Sequence, residues 1–408
     1  MMNNVTVFML SWEFPPRIIG GIAAHVHDLA LALGQLNLDV KVITCDFPGA
    51  EDYEEIDGVS VHRIDSYKYP TSNFASWVYM MNLNMQESAI RLIRDEIKQG
   101  KTCLLHSHDW LVAKVAIGLK HLFRIPLLAT IHSTEHGRRK GIHSEYQRMI
   151  HQTESWLANE AWRVICCSTY MAEQVSQLFH IPLTRIDTIP NGVNSTQYAI
   201  VTASPSFKRQ YADPHEKLVL YVGRLVYEKG VSVLVDAVNL VQRQTNAKFV
   251  VVGDGYMRDR LVDQARRVNA MSKMFFTGFL DEESVKKLYH VADVFVIPSL
   301  YEPFGIVALE GMASGAPVVA SGVGGLAEII THDKTGVLVY PDNPESLAWG
   351  INRVLTDPGY AQWLRENALD HVKTFYDWNT IAQTTSTVYH QIVSEYLDGS
   401  WRLKQQSE

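Results

Sequence analysis

The sequence predicts an α/β protein built as two doubly wound parallel-sheet domains. Short apolar runs alternate with segments of helical periodicity, the alternation breaks once near the middle, and 408 residues exceed what one ordinary core accommodates. Runs that are apolar at nearly every position suit strands covered on both faces, as parallel strands are.

Residues 5–10 form the first expected strand, and the loop after it ends in Gly20 and Gly21. Ile22, Val26, Leu29 and Leu33 then recur at helical spacing. Two glycines let the backbone approach a ligand at the positive end of that helix, which suits a diphosphate; a bare glycine pair also makes a plain turn. Strands are expected at 40–45 and 59–64, then an aromatic, asparagine-rich stretch from 67 to 84 and a helix over about 85–98. Residues 103–110, Cys-Leu-Leu-His-Ser-His-Asp-Trp, end a strand in polar groups. His106, His108 and Asp109 are metal-ligating types, but no third ligand group at recognisable spacing accompanies them, so they are read as lining a cleft. Residues 127–131 are a strand that delivers His132 at its C-terminal end, the edge that carries the ligand crevice in open α/β sheets. A histidine there also serves as a semi-buried structural hydrogen bonder. Helices through 156–162 and 170–179 and strands at 164–167 and 186–189 complete the first half.

From 194 to 216 periodicity is lost while Ser, Thr, Pro and Lys accumulate, which marks a linker. The expected organisation is a first domain of residues 1–193 joined by a returning helix within 378–408, a linker 194–216 and a second domain 217–377. After a strand at 218–222 come Gly223-Arg224 and Lys229-Gly230, two cations five residues apart. Both can face a diphosphate, Arg224 with a fork and Lys229 as a mobile point charge, or simply be surface charges. A further apolar run ends at Ser299 and meets Glu302-Pro-Phe-Gly-Ile-Val-Ala-Leu-Glu310. Here Pro303 and Gly305 make a tight loop, and the helix opening at Phe304, Gly305, Ile306 and Val307 presents backbone N–H groups to a phosphate or to sugar oxygens. Glu302 then accepts from sugar hydroxyls and Glu310 from ribose hydroxyls. An isolated pair of glutamates eight apart is ordinary; the strand, loop and helix around this one single it out. In the last helix Ile381, Val388, Ile392 and Tyr396 fall near one face, so it can pack onto another domain.

Hydrophobic residues at 47% and charged residues at 20% match a globular chain, and a net charge of −7 gives no global drive toward nucleic acid or anionic lipid. Arg138-Arg139-Lys140 is the one local basic run singled out. Cys45, Cys103, Cys166 and Cys167 lie in or beside apolar runs with no C-x-x-C spacing, as small buried thiols do, and a reducing compartment is expected. The start lacks the basic and apolar parts of a signal peptide, and no apolar segment approaches membrane-spanning length, so a cytoplasmic protein without membrane association is expected.

Taken together, Gly20-Gly21, His132, Gly223-Arg224 with Lys229-Gly230, and Glu302-Pro-Phe-Gly to Glu310 resemble the retaining glycosyltransferases of family 4, along nearly the whole chain. The stretches around His106 to Trp110 and Thr130 to His132 are most similar to the glycogen and starch synthase branch. The resemblance implies the GT-B fold, two facing Rossmann-like domains, and transfer of a sugar, expected to be glucose, from an ADP, UDP or GDP sugar to a glucan or small sugar acceptor. It implies that Arg224 and Lys229 stabilise the departing nucleoside diphosphate, that Glu302 and His132 contact the donor sugar, that Glu310 holds the ribose and that Gly21 supports the phosphate. No Asp-x-Asp triplet occurs, so neither a metal nor another cofactor is expected. One departure stands out: glycogen synthases place a lysine two residues before the first glycine of the pair, where this chain has Ile18, with Arg17 before it. That sets glucan elongation apart from glycosyl transfer as such. A lipid-linked acceptor, a nucleotide-sugar epimerase and a non-catalytic nucleotide-sugar sensor remain as alternatives; intact Arg224, Lys229 and Glu302 speak against the sensor.

Overall fold

The computed structural model describes residues 4–199 and 203–401 and separates into two compact units, Met1–Gly192 with Trp378–Glu408, and Val193–Asp377. In the first, strands β1 (Val5–Leu10), β2 (Asp39–Cys45), β3 (Tyr53–Ile56), β4 (Val59–Ile64), β5 (Thr102–His108), β6 (Leu127–Ile131), β7 (Arg163–Cys166) and β8 (Ile186–Thr188) form one sheet in the order β3-β4-β2-β1-β5-β6-β7-β8. All neighbours run parallel except β3 and β4. β1 and β6 are buried at every position, which is why they read as apolar runs broken only by Thr6 and Thr130. The strand order reverses between β1 and β5, so the C-terminal ends of β1, β5 and β6 open side by side at a switch point.

Three local features differ from the expectation. β3, Tyr-Glu-Glu-Ile, is an additional edge strand, turned back onto β4 by Asp57-Gly58, both at positive φ. Its glutamates keep the sheet edge from pairing with another chain. The helix expected from about 85 begins earlier and spans Phe74–Lys98, capped by Asn73, whose side chain accepts from Ser76 N at 2.9 Å. Asn82, a poor helix former, is tolerated there because its amide donates to Val78 O and Leu111 O and accepts from Val115 N. Residues 194–216, expected as a linker, include two short helices, Ser195–Ala199 and Pro205–Lys208. Polar anchoring rather than apolar periodicity holds the second, since Lys208 Nζ lies 2.5 Å from Asp293 Oδ2.

The terminal helix Trp378–Asp398 joins the first unit. Ile381, Ala382, Val388, Tyr389, Ile392 and Val393 enter one core with Val26, Leu29, Ala30 and Leu33 of the helix Gly21–Gln35.

The second unit holds β9 (Lys217–Val222), β10 (Ala247–Val252), β11 (Met274–Gly278), β12 (Val294–Ile297), β13 (Val318–Ser321) and β14 (Val337–Val339), all parallel, in the order β11-β10-β9-β12-β13-β14. Its switch point lies between β9 and β12. The four cysteines are buried and unpaired by disulfides. No helix among the described residues is long and apolar enough to cross a membrane.

Candidate functional site

In the second unit the residues singled out from sequence gather at the C-terminal edge of β9 and β12. β9 runs into Gly223 and Arg224, then a 3-10 turn Tyr227–Lys229, and Gly230 at φ 63 starts the helix Val231–Gln242. This loop is pressed onto the end of β12, because a Cβ on Gly230 would lie 2.0 Å from Pro298 O. Gly230→Ala is expected to cost at least about 2 kcal/mol of stability through strain and that clash. Differential scanning calorimetry checks it; an unchanged midpoint would mean that the loop yields.

The packing delivers Lys229 Nζ to 2.6 Å from Glu302 Oε2, which also accepts from Ser299 Oγ at 3.0 Å. Glu302 is only 6% exposed, so this carboxylate is held by neighbours rather than by water. Arg224 behaves differently: its side chain is 57% exposed, with Glu228 Oε1 only at 4.0 Å, while its carbonyl accepts from Tyr221 Oη at 3.0 Å. A guanidinium so placed can swing to an anionic ligand at little cost. Gly305, at φ 111, opens the helix Ile306–Ala313, and Gly325 N donates to Glu302 O at 3.0 Å, closing the loop under the carboxylate. Ile306 and Val307 sit half-buried in the first helical turn. Phe304 is 5% exposed and its ring packs edge-on against Tyr376 at 6.2 Å, so what it offers a phosphate is its backbone. Glu310 Oε2 accepts from Tyr289 Oη at 3.0 Å; burial pushes its carboxyl up, and the bond from Tyr289 opposes this.

In the first unit the glycine loop is braced by a residue that the sequence reading passed over. Glu13, 1% exposed, accepts from Ile19 N at 2.7 Å and Gly20 N at 2.8 Å through one carboxylate oxygen. Gly20 is thus committed to an internal anion, and what the loop can offer a phosphate is the first turn of the helix from Gly21. A glutamate inside a strand-to-glycine loop was the available signal. Arg17 lies beside the edge-to-face pair of Trp12 and Trp77, 5.6 and 5.5 Å from their centroids.

His132 follows β6, with its backbone N–H held at 2.8 Å by Asp109 Oδ1. Asp109 itself takes φ 60, and burial pushes its carboxyl up to about 6 against the pull of Arg138 and of the His132 and Ser133 amides. It is therefore a positioning group for the His132 loop. His132 Nε2 lies 3.2 Å from His108 Nδ1, while His106 bonds Tyr389 Oη and Thr130 Oγ1, each at 2.7 Å. His25, from the helix Gly21–Gln35, brings its ring to 4.6 Å from that of His132 and 5.4 Å from that of His108. Burial keeps His25, His106 and His108 well below the ordinary imidazole value and His132 at about 3, so the rings are neutral at neutral pH. Sequence spacing could not reveal His25, because it lies far from the others along the chain. The basic run at 138–140 is not an open cationic patch: Arg138 is bound to Glu135 at 2.9 Å and Glu154 at 3.2 Å, and Arg139 lies 3.6 Å from Glu135.

Residues 204–371 match the family described as Glycosyl transferases group 1, and residues 19–197 match Glycosyltransferase Family 4. An uncharacterized glycosyltransferase of Methanocaldococcus jannaschii is 41% identical over 387 residues, spanning 94% of this chain and 97% of that protein. Glycogen synthase of Mycobacterium tuberculosis is 35% identical over 94% of each chain. Among solved structures, sucrose-phosphate synthase from Thermosynechococcus elongatus has a TM-score of 0.80 at 26% identity, covering 95% of this chain and 99% of that one. With two parallel-sheet domains and these relatives along nearly its whole length, the chain belongs to the family 4 glycosyltransferases of the GT-B fold.

Proposed function

We propose that the chain transfers glucose from a nucleoside diphosphate glucose to a carbohydrate acceptor with retention of configuration, using cationic side chains rather than a metal ion at the diphosphate. The observation that carries this reading is the Lys229–Glu302 pair, an ammonium 2.6 Å from a buried carboxylate at the strand edge where Arg224 stands exposed and a helix opens at Gly305. A diphosphate offers that ammonium a second, doubly charged partner. Turning toward it releases Glu302 to accept from sugar hydroxyls. As the anomeric bond breaks, charge builds on the leaving phosphate oxygen, and cations already in place stabilise it. In this scheme His132 contacts the donor sugar near its reacting carbon, Glu310 takes the ribose, and the leaving phosphate accepts the acceptor's proton on the same face. Identity to a glycogen synthase supports glucose and a glucan.

A small sugar acceptor is the second reading, and it is favoured by the residues before the glycine pair. Ile18 is 60% exposed where a lysine is typical of glycogen synthases, and Arg17 is engaged by two indole rings. Neither supplies a mobile cation at the loop.

The test is a panel of ADP-, UDP- and GDP-glucose with glycogen, maltooligosaccharide, monosaccharide and sugar-phosphate acceptors, with products read by NMR. An α-linked product from one donor is expected; a β-linked product, or epimerised donor without transfer, would overturn the reading. A chelator is expected to leave the rate unchanged. Loss of transfer in chelator, restored by magnesium or manganese, would show that the cationic side chains do not suffice.

A further inference from the structure

We propose that His25, His108 and His132 form a binding site for a borderline transition-metal dication of the zinc class, and that its occupation switches transfer off by taking the ring nitrogen of His132. One nitrogen from each ring lies within 4.8 Å of the others, and three imidazoles converging from the helix Gly21–Gln35 and the ends of β5 and β6 are what the geometry assembles. The 3.2 Å between His108 Nδ1 and His132 Nε2 is already close to the edge, about 3.4 Å, of a tetrahedron with metal–nitrogen bonds of about 2.0–2.1 Å. His25 closes the remaining gap by a small ring shift.

A second observation points to a ligand. The two ring nitrogens of His25 are buried and have only the Asn191 side chain within reach, so at least one of them has no hydrogen-bond partner among the described residues. Buried imidazole nitrogens rarely go unsatisfied, and neutral rings offer lone pairs. An all-nitrogen set selects zinc, copper, nickel or cobalt and rejects magnesium and calcium, which require oxygen. Asp109 does not complete the set, since its Oδ1 accepts from His132 N at 2.8 Å; it fixes the loop behind the ligand instead. His25 and His108 are buried while His132 is only half-buried, so an ion can enter along His132 and keep a solvent molecule as its fourth ligand. On binding, the proton joining His108 and His132 moves to the far nitrogen of its ring, all three rings stay neutral, and no proton need leave.

The metal-binding claim stands on the cluster alone, whereas the inhibition rests on the transfer reaction proposed above; the experiment reads them separately. Untagged protein is titrated with cobalt(II), and the visible bands of tetrahedral cobalt are followed, then displaced with zinc. One equivalent per chain is expected, with the bands lost in His25→Phe and His108→Asn, whose thermal midpoints are measured alongside. Absence of the bands in the wild-type protein overturns the site whatever the variants do. Bands that persist in both variants assign the metal to other surface histidines and overturn it as well. Zinc at one equivalent is expected to lower glucosyl transfer at least tenfold, reversibly with chelator, and to have no effect on His25→Phe. Cobalt bands with unaltered transfer in zinc overturn the inhibitory role.

Discussion

Arg224→Ala is expected to lower turnover by about 10²-fold or more while leaving the thermal midpoint where it is. Its side chain is 57% exposed and its one acidic neighbour stands at 4.0 Å, so the fold gains little from it and the loss falls on the charge that grows at the leaving phosphate. Lys229→Ala is expected to match that loss in rate but also to lower the midpoint, because Glu302, 6% exposed, is left without its ammonium. The contrast separates two jobs done by neighbouring cations. Steady-state kinetics with calorimetry on both variants decides it, and near-wild-type turnover in two folded variants would remove the leaving-group role.

Removing the helix Trp378–Asp398 is expected to unfold the first unit outright. Ile381, Val388, Tyr389, Ile392 and Val393 are all buried, and at about 1.5–3 kcal/mol for each large side chain their burial rivals the 5–15 kcal/mol that holds a typical domain together. Tyr389 adds a polar loss, since its hydroxyl is the partner of His106 Nδ1 at 2.7 Å. The graded version is Ile392→Ala, expected to cost about 2–5 kcal/mol by opening a cavity between this helix and the helix Gly21–Gln35. Circular dichroism and denaturant titration measure both. A truncated chain that keeps a cooperative transition for the first unit would show that the helix is an accessory.

The fold was legible because parallel strands buried on both faces leave runs that are apolar at nearly every position, and β1, β6, β9 and β12 all read that way. β3 escaped because an edge strand carries glutamates, and only the Asp57-Gly58 pair announced it. The start of the helix at Phe74 escaped because Asn82 has poor helix propensity, and its compensating bonds to Leu111 and Val115 come from residues distant in sequence. In the site, Arg224, Lys229, Glu302 and Gly305 could be named in advance since one strand-loop-helix pattern places each. The contact between Lys229 and Glu302 joins two such patterns, and the roles of His25 and Glu13 depend on neighbours that no local spacing encodes. The inward packing of the Phe304 ring is of the same kind, since its partner Tyr376 lies far along the chain and an aromatic ring finds more contact there than in solvent.

The buried thiols have a practical bearing on how motion in this molecule can be watched. Burial pushes Cys45 and Cys103 up to about 12 and raises Cys166 well above the ordinary thiol value, and Cys167 is 3% exposed, so few thiolates meet solvent at neutral pH. Maleimide and iodoacetamide should therefore pass over the native chain. A cysteine introduced at an exposed position, such as Tyr256→Cys or Leu183→Cys, would take a fluorophore or spin label alone, without prior removal of the four natural ones.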